Sequence, residues 1–172
     1  MRIELQTELL RRYPKSFREP DAEQLASAFD TWGVECGDGW FALIDRLAGD
    51  CERDIEALIL QGVPVKLWPR VTQIKEKTGS LRFRVYKPAP TGEPLGKILT
   101  LGEEESRYIC AQCGVVKKSD LDGSVHALCC KCATKSAEDT QDDRLNCLRL
   151  LALLATREER LELFIFVLNF LE

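Results

Sequence analysis

Hydrophobic and polar positions along this chain follow two periods, and the change of period marks out the elements. Ile3, Leu5, Leu9 and Leu10 anchor a helix over residues 1–13. Pro14 stops it, because proline disfavours helix in the residue before it. A short second helix is expected after Pro20, with Asp21 as cap or first-turn acid and Leu25, Phe29 and Trp32 at spacings of four and three. Gly37-Asp38-Gly39 reads as a break. The clearest helix follows at residues 40–61, where Trp40, Leu43, Ile44, Leu47, Cys51, Ile55, Leu58 and Ile59 trace one stripe. Asp38 is its expected cap, and Asp45, Arg46, Glu52, Arg53 and Glu56 fall on the other side. Gly62 closes this helix and Pro64 prevents its continuation.

The period then drops to two. Leu81, Phe83 and Val85 alternate with Arg82, Arg84 and Tyr86, the pattern of a half-buried strand. Thr78-Gly79 offers a tight turn, so residues 70–77 and 80–87 are expected to form an antiparallel hairpin. That turn pairs Lys75 with Arg82, Gln73 with Arg84 and Val71 with Tyr86, and on the opposite face Ile74 with Phe83 and Thr72 with Val85. Pro88, Pro90, Gly92 and Pro94 make a loop. Residues 95–108 then carry Leu95, Ile98, Leu99 and Leu101 on a helical face that includes Gly102.

Beyond residue 136 a polar connector leads to a Leu-rich helix, Leu145 to Ala155. Thr156-Arg157-Glu158-Glu159 is a capping-box pattern that starts a last helix to about Leu171. Leu163, Phe164, Phe166, Val167 and Phe170 leave that helix apolar on nearly every side, although its β-branched and aromatic content also permits a strand. A helix of this kind must be covered all round, by its own core, by a second copy in a homodimer or by a partner.

Composition narrows the class. The 172 residues are 45% hydrophobic and 30% charged, which excludes a disordered or collagen-like chain. The net charge of −4 excludes a protein that coats nucleic acid through bulk charge. No apolar run exceeds the six residues of Leu150 to Ala155 or Leu163 to Leu168, where a membrane span needs about twenty. With no apolar leader at Met1, the expectation is a cytoplasmic protein, away from the membrane. Cysteines stay reduced there, so clustered cysteines point to metal rather than to disulfides.

Eight cysteines are the unusual feature. Cys110-x2-Cys113 is followed, after fifteen residues, by Cys129-x2-Cys132. Each short loop curls so that two thiolates converge, and two loops face to face surround one Zn2+ ion tetrahedrally. Gly114 suits the left-handed turn that such a loop needs, and Asp122-Gly123 supplies a turn between the pairs. Cys130 is an alternate to Cys129, and His126 an alternate to one cysteine. Four protein ligands leave no position for water, so the site is structural and not catalytic. Cys51 and Cys147 read as core residues, and Cys36 precedes a helix start that would lower its thiol pKa. No Gly-rich phosphate loop, nucleophile elbow or HExxH pattern appears, and His126 is the single histidine, so the chain reads as a non-enzyme.

Charge is distributed unevenly. Residues 65–87 hold seven basic side chains against Glu76, a net +6 that leaves −10 for the rest. One hairpin face collects Gln73, Lys75, Arg82, Arg84 and Tyr86. It reads either as a solvated face or as a binding face for phosphate or for an acidic protein surface.

Three stretches together resemble a family of uncharacterised bacterial and phage or prophage proteins. They are Glu35-Cys36-Gly37-Asp38-Gly39-Trp40-Phe41-x-Leu43-Ile44, Gln73-Ile74-Lys75-Glu76-Lys77-x-Gly79-x-Leu81-Arg82-Phe83, and Cys110-x-x-Cys113-Gly114. The resemblance spans roughly residues 30–115 and implies association with mobile elements, with no reaction attached. A counter-defence role for residues 136–172, beyond its reach, is the most specific form of that expectation.

The sequence therefore predicts an α+β protein in three parts. These are an α+β domain at 1–108 with a long central helix and a basic hairpin, a zinc ribbon or knuckle at 109–135, and a helical pair at 136–172. The expected function is non-catalytic binding of a partner protein as a mobile-element accessory. Nucleic-acid binding through the basic hairpin is the alternative.

Overall fold

The computed structural model describes residues 1–20, 26–87, 93–117 and 127–135. Asp21, Leu25, Pro88, Pro90 and Gly92 of the expected loop, Asp122-Gly123, His126, Cys147 and the expected helices of 136–172 lie outside the described residues, while Pro94, expected in that loop, falls in the first turn of a helix instead. By its contacts the chain divides into two compact units, Met1–Cys129 and Cys130–Glu172. The first has α+β architecture. Its order is α1 (Ile3–Arg12), α2 (Ala28–Trp32), β1 (Val34–Glu35), a 3-10 turn (Asp38–Trp40), α3 (Phe41–Leu60), a second 3-10 turn (Val65–Leu67), β2 (Arg70–Lys77), β3 (Ser80–Tyr86) and α4 (Glu93–Ser106). Among the described residues no helix is long and apolar enough to cross a membrane.

The strands form one mixed sheet, ordered β1-β2-β3. β1 runs parallel to β2, and a parallel pair needs a long crossover, which α3 supplies. β2 and β3 are the expected hairpin. Thr78 and Gly79 both have positive φ, 50° and 79°, the two-residue turn whose twist matches the strands. Lys75–Arg82, Gln73–Arg84 and Ile74–Phe83 pair as the alternation predicts. Further from the turn the register differs. Val71 pairs with Val85 and Arg70 with Tyr86, because the ladder shifts between Val71 and Gln73 and leaves Thr72 without a partner of its own. The bulge turns Val71 into the core, where it is 1% exposed.

The core lies between the sheet and α3 and α4. Trp40, Ile44, Leu47, Cys51 and Ile55 of the predicted stripe are fully buried, with Val71, Ile74, Leu81 and Phe83 of the hairpin. Leu58 and Ile59, at the end of the stripe, emerge toward solvent. Gly62 closes the helix as expected, donating to Ile59 O at 2.9 Å, while Val63 N–H reaches Leu58 O at 3.0 Å. On α4 the buried positions are Leu95, Leu99, Gly102 and Ser106, so Leu101, expected inside, is 63% exposed. Gly102 sits where α4 meets α3, and a Cβ there would stand 2.7 Å from Leu47 Cδ2.

Three polar expectations also change. Asp38 does not cap α3. It opens the 3-10 turn, and its carboxylate accepts from Arg2 N–H at 2.8 Å and from Arg2 Nε. Glu52 is buried rather than solvated, because the turn after Pro14 brings amides that need an acceptor against α3. Ser16 N–H at 2.8 Å, Ser16 Oγ at 2.7 Å and Lys15 N–H at 3.2 Å all donate to it. The second helix starts at Ala28 under a Ser27–Asp30 capping box.

Helices also close both edges of the sheet. Ser106 Oγ accepts from Leu81 N–H at 2.8 Å and Glu103 Oε1 from Phe83 N–H at 3.1 Å, on the outer side of β3. Gln6 Oε1 accepts from Val34 N–H at 3.0 Å on the outer side of β1. These bonds occupy amides that would otherwise recruit another strand.

Asp30 serves twice, in the capping box and as partner to the buried Arg70 guanidinium at 2.9 Å. Burial raises its carboxyl pKa. The backbone and side chain of Ser27, and then Arg70, outweigh burial and hold it below the ordinary aspartate value. A depressed carboxylate contributes stability above its unfolded-state value, about 3.9, and loses it as pH falls through the folded value. Asp30→Asn should therefore cost about 2 kcal/mol at neutral pH and less in acid, because the charged hydrogen bond to Arg70 is gone. Urea melts of both proteins at neutral and acidic pH check this.

Candidate metal centre

The site begins at the end of α4. After Ser106 the chain turns, and Ile109 and Val116 form an antiparallel bridge that brackets the first cysteine pair. Cys110 N–H donates to Val115 O at 2.9 Å and Gly114 N–H to Cys110 O at 2.9 Å, so the loop curls on itself. Gly114 takes φ +73°, the left-handed conformation its sequence position predicts. The second pair enters from residues 127–132. Ala111 N–H donates to Ala127 O at 2.7 Å, and Cys129 N–H points at Cys110 Sγ at 3.3 Å. Residues 130–135 are helical.

The sulfurs of Cys110, Cys113, Cys129 and Cys132 all lie within 4.8 Å of one another, a group able to hold a metal ion. Cys113 and Cys129 stand 3.8 Å apart. Cys110 is buried, Cys113 exposed, and Cys129 and Cys132 half-buried. Burial alone would raise the Cys110 thiol. Backbone N–H groups of Cys113, Cys129 and Gln112 act against it and bring the thiol down to about 6, toward the thiolate that a metal requires. Cys130 is exposed and outside this group, and His126 lies outside the described residues.

Residues that reasoning from sequence passes over hold the loop in place. The Gly37-Asp38-Gly39 segment is more than a break, because it lies flat against the cysteine loop. Gly39 N–H donates to Ala111 O at 2.8 Å, and Trp40 Nε1 donates to Ile109 O at 2.9 Å. A Cβ on Gly39 would stand 2.3 Å from both Cys110 O and Gly114 N, and one on Gly37 would stand 2.2 Å from Ala111 O. Only glycine allows backbone to approach backbone this closely. The available signal was two glycines set around one residue and followed by a large apolar side chain. The surface they meet is some seventy residues downstream, and no local pattern reveals it.

Two further described sulfurs, at Cys36 and Cys51, do not join the centre. Cys51 is buried in α3, where burial pushes its thiol up to about 12. Cys36, expected to be activated by a helix start, is instead raised to about 12, chiefly by burial. It precedes a 3-10 turn, Asp38–Trp40, and α3 begins only at Phe41.

The expected binding-face residues do come together. Gln73 lies opposite Arg84 and Lys75 opposite Arg82, with Tyr86 on the same side of β3 opposite Arg70. Leu163, Phe164, Phe166, Val167 and Phe170 lie outside the described residues. No family model matches this chain, and neither a curated protein nor a solved structure matches it.

Gly39→Ala should uncouple the turn from the cysteine loop and cost about 3 kcal/mol, through steric overlap with backbone that cannot yield. Gly96→Ala, at a half-buried position of α4 with its nearest neighbour, Lys87 Nζ, at an ordinary 3.7 Å, should instead gain roughly 0.5 kcal/mol from helix propensity. Thermal melts of the two variants should move in opposite directions.

Proposed function

We propose that this chain is a zinc-stabilised, non-catalytic binding protein that uses the sheet face of Gln73, Lys75, Arg82, Arg84 and Tyr86 to engage a partner protein. The mutual closeness of the four cysteine sulfurs carries the reading. Tetrahedral zinc with Zn–S bonds of about 2.3 Å needs sulfurs about 3.8 Å apart. Cys113 and Cys129 already stand at 3.8 Å, with the others close enough to complete the set by small movements. Four thiolates fill the coordination of Zn2+, leaving no position for substrate or activated water. An ion held this way stabilises the fold and does no chemistry. Cys36 and Cys51, the two described cysteines within the body of the fold, are both held protonated by burial.

A folded scaffold without a reaction centre acts through its surface, and the sheet face is where this surface is most distinctive. In the setting that the resemblance implies, the partner would be a host-cell protein met by a mobile element.

Elemental analysis of the reduced protein should find about one zinc per chain. Chelation should be accompanied by loss of native circular dichroism, since metal binding and folding are linked. Cys110→Ser should lose the zinc, and Cys130→Ser should keep it. Metal-free protein with its native spectrum intact, or loss of zinc from Cys130→Ser alone, overturns the reading.

A further inference from the structure

We infer that the basic face of the β2-β3 hairpin, half-buried at Gln73, Lys75 and Arg82 and exposed at Arg84 and Tyr86, is a docking surface for an extended, acidic segment of a partner protein. This deepens the binding reading above and rests on it.

The first observation is where charge is left unneutralised. Each arginine on α1 and α3 pairs with a carboxylate: Arg11 and Arg12 with Glu8, Arg46 with Glu105 and Arg53 with Asp50. Arg70, on the sheet face at the far end of β2, pairs with Asp30. Lys75, Lys77, Arg82 and Arg84 on the same face form no ion pair with any described residue. Placing Lys75 directly opposite Arg82 costs stability, as like charges across strands do. A fold that neutralises its other sheet arginine internally leaves this group for an external anion.

The second observation is spacing. Arg82, Arg84 and Tyr86 follow one another on one side of β3, at a pitch of about 7 Å for every second residue. Across the ladder Lys75 and Gln73 stand beside Arg82 and Arg84, with Cβ atoms about 5 Å away. An extended peptide repeats its own side chains at that same pitch of about 7 Å. Carboxylates at alternate positions would meet Arg82 and Arg84 in turn, with Tyr86 next in the row.

The third observation separates a protein from a nucleic acid. Glu35 of β1 is the register partner of Lys75 and is exposed. A polyphosphate carries a negative charge at every repeat and is repelled there. A peptide can present a neutral or basic side chain at that position and keep its carboxylates over the arginines.

The mode of docking follows from the edges. Gln6, Glu103 and Ser106 occupy outward amides of β1 and β3, so the segment lies across the face and does not add as a fourth strand.

Fluorescence anisotropy with three labelled probes tests this: a peptide alternating glutamate and threonine, one of equal composition with its glutamates in a block, and oligothymidylate. The alternating peptide should bind most tightly, with affinity falling as salt is added. Arg82→Glu with Arg84→Glu should weaken it by about tenfold or more, with zinc content and circular dichroism unchanged. If that pair fails to fold, Arg84→Ala, at an exposed position, should still weaken the alternating peptide. Tighter binding of oligothymidylate, equal binding of the two peptides, or unchanged affinity in the folded arginine variants overturns the inference. Those results leave the zinc measurement intact, so a failure of this docking face is distinguishable from a failure of the zinc-stabilised scaffold, which the metal analysis tests by itself.

Discussion

The first unit depends on two stretches of backbone pressed together without side chains between them. Gly37 and Gly39 lie against the carbonyls and amides of the cysteine loop, and Trp40 adds an indole N–H to Ile109 O while its ring fills the core. A fully buried aromatic of this size contributes about 3 kcal/mol from area alone. The contact also sets directions. It fixes where α3 begins, and α3 carries most of the core stripe. It places β1 immediately upstream, so that Val34 and Glu35 meet Ile74 and Lys75 in register. The cysteine loop is therefore built into the main core and is not an appendage to it.

The sheet is small, and small sheets have a large proportion of edge. Here the edges are managed by polar side chains from helices. Glu103 and Ser106 reach β3 from α4, and Gln6 reaches β1 from α1. Each bond satisfies a strand amide and also ties a helix to the sheet. Glu52 does comparable work between α3 and the turn at Ser16. Buried polar groups thus join the elements wherever apolar packing alone would leave amides unsatisfied.

What sequence alone discloses follows from how local each determinant is. The cysteine pairs were legible because the ligand spacing lies within a few residues and the chemistry of four thiolates is narrow. The Trp40 to Ile55 stripe and the Thr78-Gly79 turn were legible for the same reason. Glu52 was misread because a carboxylate flanked by Asp50 and Arg53 on a helix resembles a solvated residue until the Ser16 amide is brought to it. The bulge at Thr72 leaves no mark in an alternation that reads equally well without it. On α4, leucine at 101 outweighed the small residues Gly102 and Ser106, yet a close helix crossing and a strand amide needed those small residues inside. Asp30 neutralises Arg70, one of the seven basic side chains counted over residues 65–87, which charge counting could not anticipate.

The hydrogen bond from the Trp40 indole to Ile109 joins residues 69 positions apart. During synthesis the amino-terminal half, including all of α3, leaves the ribosome before the surface that receives its first turn exists. Contacts of such long range are slow to form, because loop closure must be completed before they stabilise anything. The nascent chain therefore holds the Trp40 indole without its final partner until the cysteine loop emerges. That interval is the period of greatest exposure to proteases and to misassociation, and its length is set by translation speed.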